Sequence, residues 1–383
     1  MTFRIPAPYA IACLAILGAT LSCTSSEADA EANLGTIKLP PGFTISVYAT
    51  GLENPRSLTL GDNGTVFVGS RKTNKVYAVV DRDNDHKADA VHIIMDTDTA
   101  PDGARLRMPC GVAFRNGSLY VAAISHILRF DHIETRLNFP PKPVIVTADY
   151  PKAAHHGWKF IAFGPDGKLY VPVGSPCNVC ERDEEIFGTI TRINADGSGR
   201  EIIARGIRNT VGFDWHPETG ELWFTDNGGD FLGDDFPGDE LNRISEVGQH
   251  FGFPYVHQGD TLDRRFGQGR SVAEFTPPAQ VLGPHVAALG MRFYTGDMFP
   301  AEYKNQIFIA EHGSWNRSQK IGYRIMLVRL ENGKAVSYEP FAEGWLQGGE
   351  NWGRPADLLF LPDGSMLVSD SIGNVLYRIA YEG

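Results

Sequence analysis

The sequence predicts an all-β protein, a six-bladed β-propeller, on three observations. A turn marked by Gly and followed by alternating apolar and β-branched residues recurs, the copies stand at near-regular intervals, and helical periodicity is hard to find after residue 36. The copies are Asp62-Asn63-Gly64-Thr65-Val66-Phe67-Val68, Asn116-Gly117-Ser118-Leu119-Tyr120-Val121, Pro165-Asp166-Gly167-Lys168-Leu169-Tyr170-Val171, Glu218-Thr219-Gly220-Glu221-Leu222-Trp223-Phe224, Lys304-Asn305-Gln306-Ile307-Phe308-Ile309 and Pro362-Asp363-Gly364-Ser365-Met366-Leu367-Val368. With Gly64, Gly117, Gly167, Gly220, Asn305 and Gly364 as markers, the intervals are 53, 50, 53, 85 and 59 residues. A β-sandwich pair also has short strands and frequent turns, but the spacing favours blades of roughly 40–50 residues stacked in a ring.

In chain order, residues 1–36 read as an export signal and short linker. Arg4 precedes a nearly all apolar or small run from Tyr9 to Leu21, which is too short for a confident membrane span. Two processing routes stay open: lipid attachment at Cys23, within the loose lipobox Thr20-Leu21-Ser22-Cys23, or small-x-small cleavage at Ala28-Asp29-Ala30. Residues 37–383 then form the propeller. The alternating Phe43-Thr44-Ile45-Ser46-Val47-Tyr48 is expected to complete the blade containing Val375-Leu376-Tyr377-Arg378-Ile379, which closes the ring without an exposed edge. The 85-residue interval carries an insertion, roughly 246–284, rich in Gly, Pro, Phe and His; such excursions usually overlie a functional face.

Composition narrows the function. The 383 residues hold 35 Lys+Arg against 46 Asp+Glu, a formal charge of −11, which disfavours a nucleic-acid partner. The 42 Gly and 24 Pro fit a turn-rich fold and exclude coiled coils. Outside the signal, three cysteines remain. Cys177-Asn178-Val179-Cys180 lacks the His that covalent haem attachment needs, because Glu181 follows. In an exported protein a disulfide is the default, from Cys177 to either Cys180 or Cys110.

Four segments are poor core material and rich in chemistry. His155-His156-Gly157-Trp158-Lys159 supplies imidazoles that accept protons near neutral pH. Gly206-Ile207-Arg208-Asn209 pairs a rigid cationic fork with an amide. Asp226-Asn227-Gly228-Gly229-Asp230, followed by further acidic residues to Asn242, offers oxygen donors for a hard cation. His312-Gly313-Ser314-Trp315-Asn316-Arg317 and Trp352-Gly353-Arg354-Pro355-Ala356-Asp357 each join an aromatic, a Gly and an Arg, a set suited to a flat anion. Solvated loops and clamps between blades are the competing readings. A separate cation candidate is Asp81, Asp83, Asp85 and Asp89, spaced like a Ca²⁺ loop, although His86 replaces the usual turn Gly and His92 the usual Glu.

From about Leu39 to the C-terminus these residues resemble the glucose/sorbosone dehydrogenases, six-bladed propellers that use pyrroloquinoline quinone (PQQ) and Ca²⁺. The resemblance rests on His156 ahead of Phe163-Gly164-Pro165-Asp166-Gly167-Lys168-Leu169-Tyr170, on Gly206-Ile207-Arg208-Asn209, on Asp239-Glu240-Leu241-Asn242, and on Gly290-Met291-Arg292-Phe293-Tyr294-Thr295-Gly296. The Cys177–Cys180 and Gly313–Arg317 segments look more like the sorbosone branch. The resemblance implies that His156 is the general base and Arg208 the group beside the reacting quinone carbonyl. It also implies that Asn209 and Arg354 contact the cofactor, and that the carbonyls of Gly228 and Gly229 hold its Ca²⁺. Three departures follow: Ser175 stands where the soluble glucose enzymes have an Asp behind the base, Ala356 where a second cofactor Arg is expected, and His312 where a Lys is. His312, Arg317 or Lys320 is then expected to serve the cofactor carboxylates.

The implied activity is oxidation of a sugar, sugar aldehyde or related alcohol in the periplasm, with electrons passed to a cytochrome or quinone. A Ca²⁺-dependent lactonase-type hydrolase and a non-catalytic carbohydrate- or protein-binding propeller are the alternatives.

Overall fold

The computed structural model describes residue 28 and residues 30–383; the signal run and Cys23 lie outside the described residues. Apart from a short helical stretch near residues 30–34 and three single-turn 3₁₀ helices, the described chain is built of strands.

Six four-stranded antiparallel units form the ring. The first blade comprises Pro55–Leu60, Val66–Ser70, Lys75–Val80 and Ala90–Asp96, and the second Gly111–Arg115, Ser118–Ala122, Ile127–Phe130 and Val144–Thr147. The third comprises Ala162–Phe163, Leu169–Val173, Thr189–Ile193 and Glu201–Arg205; the fourth Phe213–Trp215, Leu222–Asp226, Gly238–Ile244 and Gln280–Pro284. The fifth comprises Ala288–Phe293, Ile307–Glu311, Arg324–Glu331 and Lys334–Glu343. The sixth takes Pro355–Phe360, Met366–Asp370 and Val375–Tyr381 from the C-terminus and Phe43–Ala49 from the N-terminus. That last pairing runs antiparallel, with Ile45 opposite Ile379, so the two ends of the chain close the ring as expected.

The recurring motif has a local cause. Gly64, Gly117, Gly167, Gly220 and Gly364 all have φ between +71° and +88°, and Asn305, the one marker that is not Gly, has φ 61°. Each occupies the left-handed position of the turn between a blade's first two strands, a conformation that Gly adopts freely and Asn tolerates. The second strands are buried throughout: Val66–Ser70, Leu169–Val173, Leu222–Asp226, Ile307–Glu311 and Met366–Asp370 have no exposed residue. A blade packed on both faces has no solvent side, so these strands read as apolar runs rather than strict alternation.

The core lies between neighbouring sheets. Phe67 of the first blade packs with Leu119, Val121 and Phe130 of the second, and Trp223 and Leu241 of the fourth pack with Met291, Ile307 and Ile309 of the fifth. At the closure, Phe43 sets its ring edge-to-face against Phe299, Phe341 and Tyr381 at centroid distances of 4.8, 5.0 and 5.0 Å.

The long interval leaves the fourth blade after Gly238–Ile244. Gln249–His250 pairs in parallel with Glu201–Arg205 of the third blade, a small hairpin joins Val256–His257 to Thr261–Leu262, and the chain returns as Gln280–Pro284. The excursion thus falls inside the fourth blade and ends earlier than the expected 284, because its last five residues are that blade's outer strand.

Candidate active site

In an antiparallel blade the start of the first strand and the end of the second share one end of the ring, and the Gly-marked turns lie at the other. Arg56 and Leu289 stand at starts of first strands, and His156, Arg208, Asn209 and Arg354 shortly precede such starts; Arg71, Asn227 and His312 shortly follow ends of second strands. All line one cavity of about 340 Å³, together with Trp158, Gly228, Asp230, Asp239, His285, Trp315 and Asn316. The ring therefore collects into one place residues that are far apart in sequence.

His156 is buried, with φ 48°. It fits because Gly174 leaves room: a Cβ there would lie 2.6 Å from the His156 Cβ. Its Nδ1 lies 2.9 Å from the Ser175 carbonyl oxygen. A carbonyl only accepts, so Nδ1 carries the proton and the Nε2 lone pair is left free. The acceptor behind the ring is thus a main-chain carbonyl, where the resemblance leads to the expectation of an Asp. Burial first, then the charge of Arg208 and the neighbouring His155, push the His156 pKa down to about 2, so the ring is neutral at any ordinary pH. His155 is more open, with its ring 4.1 Å from that of His156.

Arg208 is immobilised. Its Nε donates to the Asn178 carbonyl (2.8 Å), Nη1 to the Asn227 carbonyl (3.1 Å), and Nη2 to Asn178 Oδ1 (2.8 Å) and Asp230 Oδ2 (2.7 Å). Its amide and that of Asn209 both donate to the Asp226 carboxylate, at 2.8 and 2.6 Å. Asp226 is in register with Glu240 on the adjacent strand; burial and the charges of neighbouring carboxylates raise both pKa values. Asp239, pushed up to about 6 by burial, accepts from the amides of Gly228 (2.9 Å) and Ala288 (3.0 Å). A disulfide joins Cys177 to Cys180, while Cys110 is buried and free.

Gly228 lines the cavity and, with Gly229, a small recess behind it shared with Asp226, Glu240 and His257. A Cβ on Gly228 would meet the Gly238 oxygen at 2.8 Å and Pro237 at 2.9 Å, so only Gly fits. Among the described residues, neither glycine's carbonyl accepts a hydrogen bond. Arg354 donates from Nε to the His312 carbonyl (2.9 Å) and from Nη2 to that of Gly313 (2.6 Å). His312, whose pKa burial and nearby arginines hold well below the ordinary value, lies 2.8 Å from Ser371 Oγ. The side-chain oxygens of Asn209 and Asn316 are buried without a partner.

Two expectations fail geometrically. Arg317 is not part of the cavity wall; it turns to the Asp234 carbonyl and to Asp235. Lys320 pairs with Glu350. Asp230, read as an oxygen donor for a cation, is paired instead with Arg208, and the residues that sequence reading missed are Arg56, Arg71 and His285. A signal for Arg56 exists: Pro55-Arg56 opens the first blade's inner strand much as Arg354-Pro355 opens the sixth. Remote from the cavity, the turn between the first blade's outer strands brings oxygens of Asp81, Asp83 and Asp89 within 4.8 Å of one another. Asp85 stands outside that group and accepts from the Lys87 amide (2.8 Å). His86 there has φ 69°, the conformation for which a Gly was expected.

The family model described as Glucose / Sorbosone dehydrogenase matches residues 122–315. An uncharacterised protein of Borreliella burgdorferi is 34% identical over 371 residues, covering 92% of this chain and 93% of its own. Similar solved structures include the calcium structure of a Trichoderma reesei family AA12 carbohydrate-active enzyme (TM-score 0.78, 19% identity, covering 90% of this chain and 97% of that one). Others are the holo form of the PQQ domain of Coprinopsis cinerea pyranose dehydrogenase (0.73, 17%, 90% and 97%) and the PQQ-bound aldose sugar dehydrogenase of Streptomyces coelicolor (0.64, 20%, 90% and 99%). At such identities these structures establish the six-bladed fold. The match over half the chain carries more: this protein belongs to the glucose/sorbosone dehydrogenase family.

Proposed function

We propose that the protein is a PQQ- and Ca²⁺-dependent dehydrogenase that oxidises the hydroxyl of a sugar, sugar aldehyde or related alcohol. One observation carries this reading: a neutral imidazole with a free Nε2 faces the same cavity as a fully clamped guanidinium and a wall of arginines.

The residues present fit the cofactor. Arg56 Nε and the oxygens of Asn209 and Asn316 are buried donor and acceptor sites without protein partners, as expected of a polar ligand's cradle. Arg354, Asn209 and His312 would hold the organic part, and the carbonyls of Gly228 and Gly229, which no amide occupies, suit a hard cation. When bound, PQQ supplies the hydride-accepting carbonyl chemistry. The protein's part is then to orient the substrate hydroxyl, take its proton at His156 Nε2, and present the fixed charge of Arg208 where negative charge grows. Low basicity limits His156 as an acceptor in the resting site, while its neutrality keeps the acceptor state fully populated. Electrons would leave to a cytochrome or quinone.

Reconstituting the apo-protein with PQQ and Ca²⁺ should give sugar-dependent reduction of an artificial dye. Lactone hydrolysis without PQQ, or ligand binding without turnover, would replace this reading by a hydrolase or a binding propeller.

A further inference from the structure

We propose that Arg56 and Arg71, both from the first blade, form the carboxylate clamp of this cavity, gripping the anionic edge of a flat polycarboxylate ring system. The inference rests on the PQQ reading above, and concerns residues to which the family resemblance assigned nothing.

Both guanidinium groups line the cavity. Among the described residues, neither forms an ion pair, and no protein acceptor takes a hydrogen bond from either side chain. Arg56 is 7% exposed, its Nε is buried without a partner, and burial together with Arg71 and Arg354 pushes its pKa down to about 9. Arg71 lies with its guanidinium carbon 3.7 Å from the centre of the Trp158 ring. The indole face supports the cation, whose N–H groups no protein acceptor takes among the described residues.

The cavity's own carboxylates do not neutralise this wall. Asp230 is paired with Arg208, and Asp239 is engaged by the amides of Gly228 and Ala288. Arg354 adds a third guanidinium, already held by two main-chain carbonyls. Arg56 and Arg71, set beside this third cation without an ion-pair partner of their own, are costly, and a folded protein keeps such groups where a ligand supplies the negative charge. Planar donor forks select carboxylates bidentately, so a ring carrying more than one carboxylate satisfies Arg56 and Arg71 together. This supplies the cations that Ala356 and His312 do not.

The test titrates PQQ, and separately its trimethyl ester, into the full apo-protein at saturating Ca²⁺, following tryptophan fluorescence. Wild type, Arg56→Met and Arg71→Met are compared, with thermal unfolding of each apo-form. The expected result is a loss of PQQ affinity of about 10- to 1000-fold in each variant, with little change for the ester. Apo Arg56→Met should unfold at the same or a higher temperature than wild type, because a buried unpaired charge is gone. Variants that bind PQQ as wild type does, or lose PQQ and ester affinity equally while unfolding earlier, overturn the clamp and leave the functional reading standing. A wild type that does not bind PQQ overturns that reading, and the clamp with it.

Discussion

Asn178 takes two hydrogen bonds from the Arg208 guanidinium, one on its carbonyl oxygen and one on Oδ1, both at 2.8 Å. It does so from within the four-residue loop that the Cys177–Cys180 disulfide closes. Asn178 also binds Asp230 in both directions, donating from Nδ2 to its carbonyl (3.0 Å) and accepting its amide (2.9 Å). A surface cross-link thereby sets the position of a buried cation.

Cys177→Ser with Cys180→Ser should therefore lower kcat/KM by about 10- to 100-fold, since misplacing one oriented group costs on that scale. The stability loss should stay near 2 kcal/mol, because so short a loop constrains the unfolded chain little. Dye-reduction kinetics alongside denaturant unfolding measure both; full activity in the double variant would mean that Asp230 and Asn227 hold Arg208 unaided.

His156→Ala should reduce turnover by about 100-fold or more with PQQ affinity nearly kept, whereas His155→Ala should be mild. Steady-state kinetics of the two reconstituted variants decide it, and reversed effects would assign the base to His155.

The same residue sets a pH dependence of stability. Unfolded His156 takes up a proton below about 6.5, while in the fold it stays neutral to about pH 2. Stability is thus complete above pH 6.5 and falls as pH drops, by about 1.4 kcal/mol per pH unit from this group. Asp239, pushed up to about 6, opposes the trend between roughly pH 4 and 6 but is common to wild type and variant. Unfolding of His156→Gln should accordingly be less acid-sensitive than wild type; parallel curves down to pH 4.5 would show that folded His156 is charged.

Phe43→Ala removes the ring that packs the N-terminal strand against Phe299 and Phe341 of the fifth blade and Tyr381 of the sixth, and should cost about 3–5 kcal/mol. Phe139→Ala, at a ring 87% exposed, should stay within about 0.5 kcal/mol. Urea denaturation compares them, and an equally small loss in both would mean that closure does not depend on Phe43.

We propose export as a reading of the apolar run after Arg4 in the sequence. The mass of the mature chain should show either a lipidated Cys23 or an N-terminus near Glu31. An intact Met1 in protein from the native cell would refute both routes.

The blades were legible because their signals are local. A left-handed turn position demands Gly or Asn wherever it occurs, and a strand covered on both faces demands apolar residues, so six copies announce six blades. His156, Arg208, Asn209 and Arg354 stood out for a related reason, being polar residues set at the ends of such strands. Their partners did not, because partnership is a matter of distance across the ring. Nothing in the order of residues says that the Ser175 carbonyl meets His156, that Asn178 meets Arg208, or that Arg317 is spent on Asp235. Arg56 and Arg71 flank the first turn motif and belong to none of the segments singled out for chemistry, yet closing the ring brings them near Arg354, almost 300 residues away. The charge balance of the cavity is a sum over such non-local neighbours, and their identities are decided by the closure of the ring.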